Sequence, residues 1–237
     1  MNKVLVITGG SRGIGLATAK QFSGEGYQVI NLSRQQPALD GISHLTHLSI
    51  DLADINWPNA HSKTLIDLVK SADQITLIHN AAFLAKDSIS DVQAPSFQQV
   101  MQLNVIAASQ LNQILLPSMK VGSSIIYVSS TLGEKAVANT CSYVSSKHAQ
   151  IGLMKATCQD LMGQGIHTAA VCPGFTDTEM LREHVGHDEQ VLEHFSGLSS
   201  FKRLLQPEEI ANTLWFCANN PAINGAVIHA NLGQLEN

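Results

Sequence analysis

Short apolar runs alternate along the chain with longer segments whose apolar positions recur at helical spacing. Several runs, such as "KVLVIT" and "SSIIYVSS", are apolar nearly throughout, which is typical of strands covered on both faces of a parallel sheet. Strands are predicted at 3–8, 27–33, 47–50, 74–79, 123–130, 165–172 and 225–230. Helices are predicted at 13–25, about 60–72, about 96–116, about 142–162 and 207–218.

This alternation predicts an α/β fold, a doubly wound Rossmann-type parallel sheet of seven strands with helices on both faces. We see no repeat and no linker, so residues 1–237 are interpreted as one domain. Residues 34–46 leave little room for a crossover helix, and a short turn or loop is expected there. The least regular segment, 176–202, follows a strand end and is interpreted as a lid over the substrate.

Composition excludes several classes of protein. The chain has 237 residues, 44% of them hydrophobic, and a net charge of -5 with no basic stripe, which argues against a nucleic-acid partner. No apolar run approaches the roughly 20 residues that cross a bilayer, and the first run is too short for a signal peptide. Four cysteines without C-x-x-C spacing are typical of reduced thiols. We therefore expect a cytoplasmic protein without a membrane partner.

A glycine cluster, "TGGSRGIG" at residues 8–15, lies between the first predicted strand and the first predicted helix. Glycines at this junction let backbone N–H groups and a helix N-terminus approach a pyrophosphate. A purely structural turn would look similar, and the spacing differs from G-x-G-x-x-G. The strand before the cluster and the amphipathic segment after it favour a dinucleotide site.

A second polar group lies in the apolar second half of the chain. Tyr143 and Lys147 are at i and i+4, hence on one face of the helix predicted from residue 142. Ser130 ends the preceding strand, where ligand crevices open in such sheets, and Ser129 is its competitor. Each residue alone is usually structural, but together at one sheet edge they indicate a proton-transfer site.

These motifs together resemble the short-chain dehydrogenase/reductase family. The resemblance rests on "TGGSRGIG", "HNAA" at 79–82, Asn104 in "LNV", Ser130, "YVSSK" at 143–147 and "PGFTDT" at 173–178. It runs in order from residue 3 to about 230, and the glycine spacing resembles that of the family's compact branch. Ala82 stands where the family has glycine, and Thr176 where a branched apolar residue is commoner.

The resemblance implies oxidoreductase activity on a carbonyl compound or a secondary alcohol, with Tyr143 as acid and base. A phenol is rarely ionised at neutral pH, since its pKa is about 10. The Lys147 ammonium and the oxidised nicotinamide are expected to lower that pKa. Ser130 would hydrogen-bond the substrate oxygen, and Asn104 would complete a relay to Lys147 through water. The expected catalytic residues are Asn104, Ser130, Tyr143 and Lys147.

The end of the second strand favours NADP(H), although NAD(H) is possible. The acidic residue that holds the ribose in NAD-binding folds is missing there, and Arg34, aided by Arg12, could bind a 2′-phosphate. Both arginines could instead point to solvent. The residues expected to contact the cofactor are Gly9, Ser11, Arg12, Gly13, Ile14, Gly15, Ser33, Arg34, Asp51, Leu52, Asn80, Ala81, Ala82, Tyr143, Lys147, Pro173, Gly174, Thr176 and Thr178.

The residues leave two alternative functions open. A 3-oxoacyl-thioester (acyl-carrier-protein) reductase is the alternative enzyme, and a non-catalytic NADP(H)-sensing protein is the alternative from another class. The partner is expected to be a small carbonyl or alcohol substrate, and the assembly a homodimer or homotetramer. No metal is expected, although His184, His187 and His194 lie among acidic residues.

Overall fold

A computed structural model describes residues 1–37, 41–186 and 188–234. All of its strands belong to one seven-stranded sheet, in which neighbouring strands are parallel. The order is β3–β2–β1–β4–β5–β6–β7, so the predicted doubly wound fold is confirmed. The strands are β1 (Lys3–Thr8), β2 (Gln28–Ser33), β3 (Leu45–Ser49), β4 (Gln74–His79), β5 (Ser124–Val128), β6 (His167–Pro173) and β7 (Ala226–Ala230).

Helices cover both faces of this sheet. The helices predicted at 13–25, about 60–72, about 142–162 and 207–218 are each present within a few residues of those bounds. The helices are α1 (Gly13–Gly24), α2 (Trp57–Val69), α3 (Ala94–Met101), α4 (Ala107–Leu115), α5 (Cys141–Asp160), α6 (Glu179–Val185), α7 (Glu189–Gly197) and α8 (Pro207–Ala218). Short 3₁₀ turns lie at Leu116–Ser118, Thr131–Gly133 and Pro221–Ile223.

The apolar strands pack against a core on each side. In β1, Val4 and Val6 belong to the core under α2, α4 and α5, whereas Leu5 and Ile7 belong to the core under α1 and α8. Successive side chains of a strand point to opposite faces, so a strand buried on both faces is apolar at every position. In the second core, Phe22 of α1 packs edge-on against Trp215 of α8.

One long predicted helix, 96–116, is wrong as a continuous element. The structure has α3, then a π-helical turn at Gln102–Ile106, then α4. In the π turn the N–H of Ala107 bonds to the carbonyl of Gln102, one residue further back than in an α-helix. This extra residue bulges the backbone at Asn104, and helical periodicity gives no signal for it.

Two expected irregular regions have different outcomes. No helix lies among residues 34–37 and 41–44, the described part of the connection between β2 and β3, as expected. The segment 176–202 is more regular than expected, because it contains α6 and α7. The side chain of Thr178 accepts from Leu181 N–H and caps α6, and Asp188 caps α7 through Gln190 N–H.

Candidate active site

The succession of strands along the sheet reverses its direction between β1 and β4. The candidate site lies at the carboxyl ends of these strands. Chains leave this switch point in opposite directions, which opens a crevice for a ligand. Glycines line its floor. Gly9 and Gly13 adopt positive φ angles of 67° and 52°. A Cβ on Gly15 would lie 2.2 Å from the carbonyl oxygen of Gly9, so only glycine fits there.

Side chains from β2 and β4 hold the glycine loop. The amide of Asn80 donates to the carbonyl oxygens of Thr8 and Gly9, both at 3.0 Å. The hydroxyl of Thr8 accepts from the N–H groups of Asn80 and Ala81, both at 2.9 Å. Gly10 N–H donates to Asn31 Oδ1 at 2.8 Å. Asn80 is therefore engaged with the loop, and Thr8 and Asn31, which also hold the loop, were not predicted.

The two arginines expected near a 2′-phosphate both lie at the surface. Arg34 follows β2 and is exposed. The guanidinium of Arg12 pairs with Glu183 of α6 at 3.0 Å, with both side chains about half exposed. The hydroxyl of Ser33 is already bonded, since it donates to the carbonyl of Gln35 at 2.7 Å. The two arginines thus present positive charge at the surface beside the glycine loop and β2, whereas the Ser33 hydroxyl is already used in a hydrogen bond to the backbone.

The remaining residues of the cofactor prediction lie along the same edge. Asp51 is exposed, and its carboxylate accepts from Ala53 N–H at 3.0 Å. Gly174 N–H donates to the Ala230 carbonyl beyond β6, and a Cβ on Gly174 would lie 2.9 Å from Asn231. Thr176 is buried, with its hydroxyl bonded to the Gly174 carbonyl at 3.1 Å. The others at this edge are Ser11, Ile14, Leu52, Ala82, Pro173 and Thr178.

Tyr143 and Lys147 lie on the buried face of α5, with 8% and 2% of their surfaces exposed. The Lys147 ammonium is 5.5 Å from the centre of the Tyr143 ring. Ser130, two residues after β5, lies close enough to the Tyr143 phenol to favour a lower pKa for it, and its hydroxyl accepts from Leu132 N–H at 3.1 Å. Ser129 points elsewhere, because its hydroxyl donates to the Lys147 carbonyl. Of the two serines, Ser130 therefore faces the tyrosine.

Lys147 is held by two acceptors. Its ammonium donates to the carbonyl of Val128 at 2.8 Å and to Oε1 of Gln150 at 3.2 Å. The amide nitrogen of Gln150 in turn donates to the backbone carbonyl of Asn104, at 3.1 Å. Gln150 thus joins the lysine to the π turn directly. Gln150 was not predicted, because one polar residue in a helix gives no signal of what it faces.

Asn104 anchors the π turn to its surroundings. Its side-chain amide donates to Ser146 Oγ of α5 at 2.9 Å and to the carbonyl of Phe83 at 3.1 Å. Its Oδ1 accepts from Phe83 N–H at 2.9 Å. The side chain of Asn104 is thereby fully engaged with its neighbours, and its backbone carbonyl is the group that faces Gln150.

The electrostatics of this group differ from the sequence expectation. Burial raises the pKa of Tyr143 to about 12, against the lowering effect of the Ser130 hydrogen bond. Burial also lowers the pKa of Lys147 to about 7. For the protein alone, the direction of the Tyr143 shift is therefore opposite to the one expected from Lys147 and an oxidised nicotinamide acting together, and that joint effect stays a prediction. Loss of solvent disfavours the charged form of each group, and it is the largest cause of both shifts.

Two further residues near this group were missed. Asp87, in the loop after β4, is buried and accepts from the backbone N–H of Ser142 at 2.9 Å and from its hydroxyl. Cys172 of β6 is fully buried and lies close enough to Lys147 and Tyr143 to affect both electrostatically. Burial raises the pKa of the Cys172 thiol to about 11, so it is a neutral neighbour.

His79, the last residue of β4, has a hydrogen-bonding partner at only one ring nitrogen. Its Nε2 lies 2.8 Å from Asn112 Oδ1, whose amide donates to the hydroxyl of Tyr127 at 2.7 Å. Its Nδ1 has no partner among the described residues. The ring borders a small cavity whose wall includes Thr8, Asn104 and Gln150. Burial lowers the pKa of His79 to about 4, so the ring is neutral.

The segment 176–202 contacts the rest of the site through apolar and charged groups. Phe195 of α7 packs edge-on against Phe175, with ring centres 4.6 Å apart.

In the part of the chain that the structure describes, no cluster of histidine, cysteine or acidic residues is arranged to hold a metal ion. His187, one of the histidines weighed for such a cluster, lies outside the described residues. Among the described helices, none is long and apolar enough to cross a bilayer.

Comparison with known proteins agrees with this architecture. The family model described as short chain dehydrogenase matches residues 3–189. Dehydrogenase/reductase SDR family member 6 of Aquarana catesbeiana is 32% identical over 227 residues, which cover 93% of this chain and 91% of that protein.

Two solved structures are also similar over nearly the whole chain. The angucycline C-6 ketoreductase LanV, solved with bound NADP, has a TM-score of 0.85 at 26% identity, covering 98% of this chain and 95% of that one. A 4-hydroxyisoleucine dehydrogenase in complex with NADH has a TM-score of 0.85 at 25% identity, covering 98% of both chains. Family members use NAD(H) or NADP(H) and act on small molecules. The chain is therefore an oxidoreductase enzyme that belongs to the short-chain dehydrogenase/reductase family.

Proposed function

We propose that the protein interconverts a carbonyl compound and a secondary alcohol with a nicotinamide cofactor, NADP(H) in preference to NAD(H). The observation that carries this proposal is that Ser130 and Lys147 both lie beside Tyr143, at the carboxyl end of β5, the neighbour of β4 in the sheet. These groups can bind an oxygen atom and move a proton to it, which is what carbonyl reduction requires of the protein. Hydride is supplied by the reduced nicotinamide when it is bound.

The glycine loop fits a dinucleotide. A Cβ at Gly15 would strike the backbone of Gly9, and a Cβ at Gly9 would lie 3.0 Å from the Cα of Ala81, so the loop packs closely on itself and on the chain after β4. Backbone N–H groups at the start of α1 can then approach a pyrophosphate. Arg34 and Arg12 would hold a 2′-phosphate, since a guanidinium matches its geometry. Glu183 would have to release Arg12 for this.

The protonated Tyr143 phenol can serve as the acid in carbonyl reduction. With a pKa of about 12, Tyr143 carries its proton at neutral pH and can donate it to the oxygen that becomes an alkoxide. Ser130 would donate a second hydrogen bond to that oxygen. A charged Lys147 would then stabilise the Tyr143 phenolate that remains. In oxidation the same phenolate would act as base.

The segment 176–202 is proposed as a lid. The contact between Phe175 and Phe195 attaches α7 to the chain that leaves β6, beside Gly174 and Thr176, which are expected to contact the cofactor. Closure of such a segment would exclude water from the reacting atoms.

A cytoplasmic location and a homodimeric or homotetrameric assembly remain predictions, and light scattering would test the assembly.

A panel of ketones and NADPH tests the proposal. We expect oxidation of NADPH, followed by its absorbance, with at least one simple, cyclic or aryl ketone, and slower oxidation of NADH. The panel includes a short 3-oxoacyl thioester, and turnover restricted to it would identify the acyl-thioester alternative. Binding of NADPH without turnover of any substrate would contradict the proposal in favour of a sensor.

A further inference from the structure

Gln150 lies one helical turn after Lys147 on α5, and only 1% of its surface is exposed. A buried amide is costly unless its donor and acceptor groups are bonded. Both the oxygen and the nitrogen of the Gln150 amide are bonded. Its oxygen accepts from the Lys147 ammonium at 3.2 Å, and its nitrogen donates to the Asn104 carbonyl at 3.1 Å.

The chemistry of the two neighbours fixes the orientation of this amide. An ammonium offers only donors and a carbonyl offers only acceptors. A flipped Gln150 would set its NH₂ group against the Lys147 ammonium and its oxygen against the Asn104 oxygen. The side chain therefore has one favourable arrangement, which holds the lysine to the π turn.

We propose that Gln150 is a positioning residue that fixes the Lys147 ammonium relative to Tyr143 by a direct protein link to the Asn104 carbonyl. The inference rests on the proposed carbonyl chemistry. Resemblance to the family predicted that water joins Asn104 to Lys147, whereas here a side chain spans the two groups. The link also connects α5 to the π turn, whose own side-chain amide already bonds Ser146 of α5.

The charge of Lys147 depends on few groups. Tyr143 faces it from its own helix, Cys172 from β6, and the Val128 carbonyl from β5. Glu134, after β5, lies further off and affects Cys172. Since the pKa of Lys147 is already lowered by burial, each remaining acceptor matters to its charged form. Removal of the Gln150 oxygen should lower the pKa further, and a carboxylate at this position should raise it.

Two substitutions test the inference in opposite directions. In Gln150→Leu, which removes both hydrogen bonds at similar volume, we expect the Lys147 titration to move down by about half a pH unit or more. In Gln150→Glu we expect it to move up. The titration is followed by NMR of ¹³C-labelled lysine, with the Lys147 signal assigned by its loss in Lys147→Arg. The matched control is Gln159→Leu on the exposed face of α5, which should leave the signal in place.

Kinetics give the second readout. For Gln150→Leu we expect kcat to fall by about 3- to 30-fold, and the alkaline limb of the kcat/KM profile to move in step with the titration. Circular dichroism checks folding, and if Gln150→Leu does not fold, the upward shift in Gln150→Glu decides. An unchanged Lys147 titration in a folded Gln150 variant overturns the inference. Because the titration needs no turnover, that result is distinct from failure of the proposed reaction, which shows as an inactive wild type.

Discussion

The carboxylate of Asp87 accepts the backbone N–H of Ser142 and thereby caps the N-terminus of α5, one residue before Tyr143. Thr140 is the residue at the capping position, yet its own side chain makes no capping hydrogen bond. The cap is supplied by the loop after β4, and the N–H of Cys141 also donates to the Asp87 carbonyl at 3.0 Å. A carboxylate at a helix N-terminus also interacts favourably with the helix dipole. Asp87 therefore helps place the tyrosine.

Replacing Asp87 should destabilise the protein. Asp87→Ala removes a buried, charged acceptor and leaves Ser142 N–H unpaired, so we expect a loss of about 2 kcal/mol in the free energy of unfolding. Urea unfolding measures it. Asp91→Ala in the same loop is the control, because the Asp91 carboxylate is exposed and bonds only locally, to Ser88 N–H. Equal stability of Asp87→Ala and wild type would contradict the capping role.

Removing the phenol oxygen of Tyr143 should abolish most of the proposed activity. For Tyr143→Phe we expect kcat/KM for a ketone to fall by about 10²- to 10⁴-fold, with NADPH binding largely retained. Stopped-flow or steady-state assays measure the first, and NADPH fluorescence the second. Tyr27→Phe is the control, since Tyr27 lies in the aromatic cluster with Phe22 and Trp215. Normal turnover by Tyr143→Phe would exclude the tyrosine as proton donor.

The buried lysine should make stability depend on pH. Lys147 has a pKa of about 7 in the folded protein and 10.5 as its ordinary value, so between these pH values the unfolded chain binds more protons. Stability from this group therefore rises with pH across that window, by up to about 1.4 kcal/mol per pH unit.

Lys147→Met should lack this rise. We expect the difference in unfolding free energy between wild type and Lys147→Met to shift in favour of wild type from pH 7 to pH 10.5. Urea unfolding at both ends of the window gives the comparison, and other titrating groups cancel in the difference. Lys63→Met, at an exposed position of α2, should show no such trend. A pH-independent difference for Lys147→Met would refute the lowered pKa.

Two glycines should respond in opposite ways to a methyl group. A Cβ at Gly15 would lie 2.2 Å from a backbone oxygen, whereas a Cβ at Gly152 in α5 meets nothing within 4 Å. We expect Gly15→Ala to lose about 1–3 kcal/mol of stability and to bind NADPH more weakly. We expect Gly152→Ala to gain up to about 1 kcal/mol. Thermal unfolding and NADPH fluorescence measure these effects, and tight NADPH binding by Gly15→Ala would contradict the close approach.

Cofactor choice should depend on Arg34. Loss of the guanidinium in Arg34→Ala should lower kcat/KM for NADPH by about 10- to 100-fold, because a charged hydrogen bond to phosphate is lost, and should leave that for NADH nearly unchanged. The ratio of the two values is measured with one ketone. Lys63→Ala, which removes an exposed charge on α2, should not alter the ratio. An unchanged ratio for Arg34→Ala would reject a 2′-phosphate site there.

Local patterns predicted most of the fold but not its irregularities. Strand bounds follow from apolar runs, which is why β1 and β4 match their predictions. The π turn at Gln102–Ile106 was missed because its sequence fits an ordinary helix. The caps of α6 and α7, Thr178 and Asp188, were visible in the sequence and could have predicted those helices.

The ordered motifs in the sequence determined the family. Apolar periodicity determined the sheet and placed Tyr143 and Lys147 on one face of a helix, because it assigns side chains to faces within a few residues. Only the tertiary structure decided which residues hold these groups in place and in which direction burial shifts their pKa values. Asp87 reaches the start of α5 from 55 positions away in the sequence, and Gln150 joins Lys147 to the Asn104 carbonyl, 46 positions from Gln150. Burial, which raises the pKa of Tyr143 and lowers that of Lys147, is a sum over all neighbours in space.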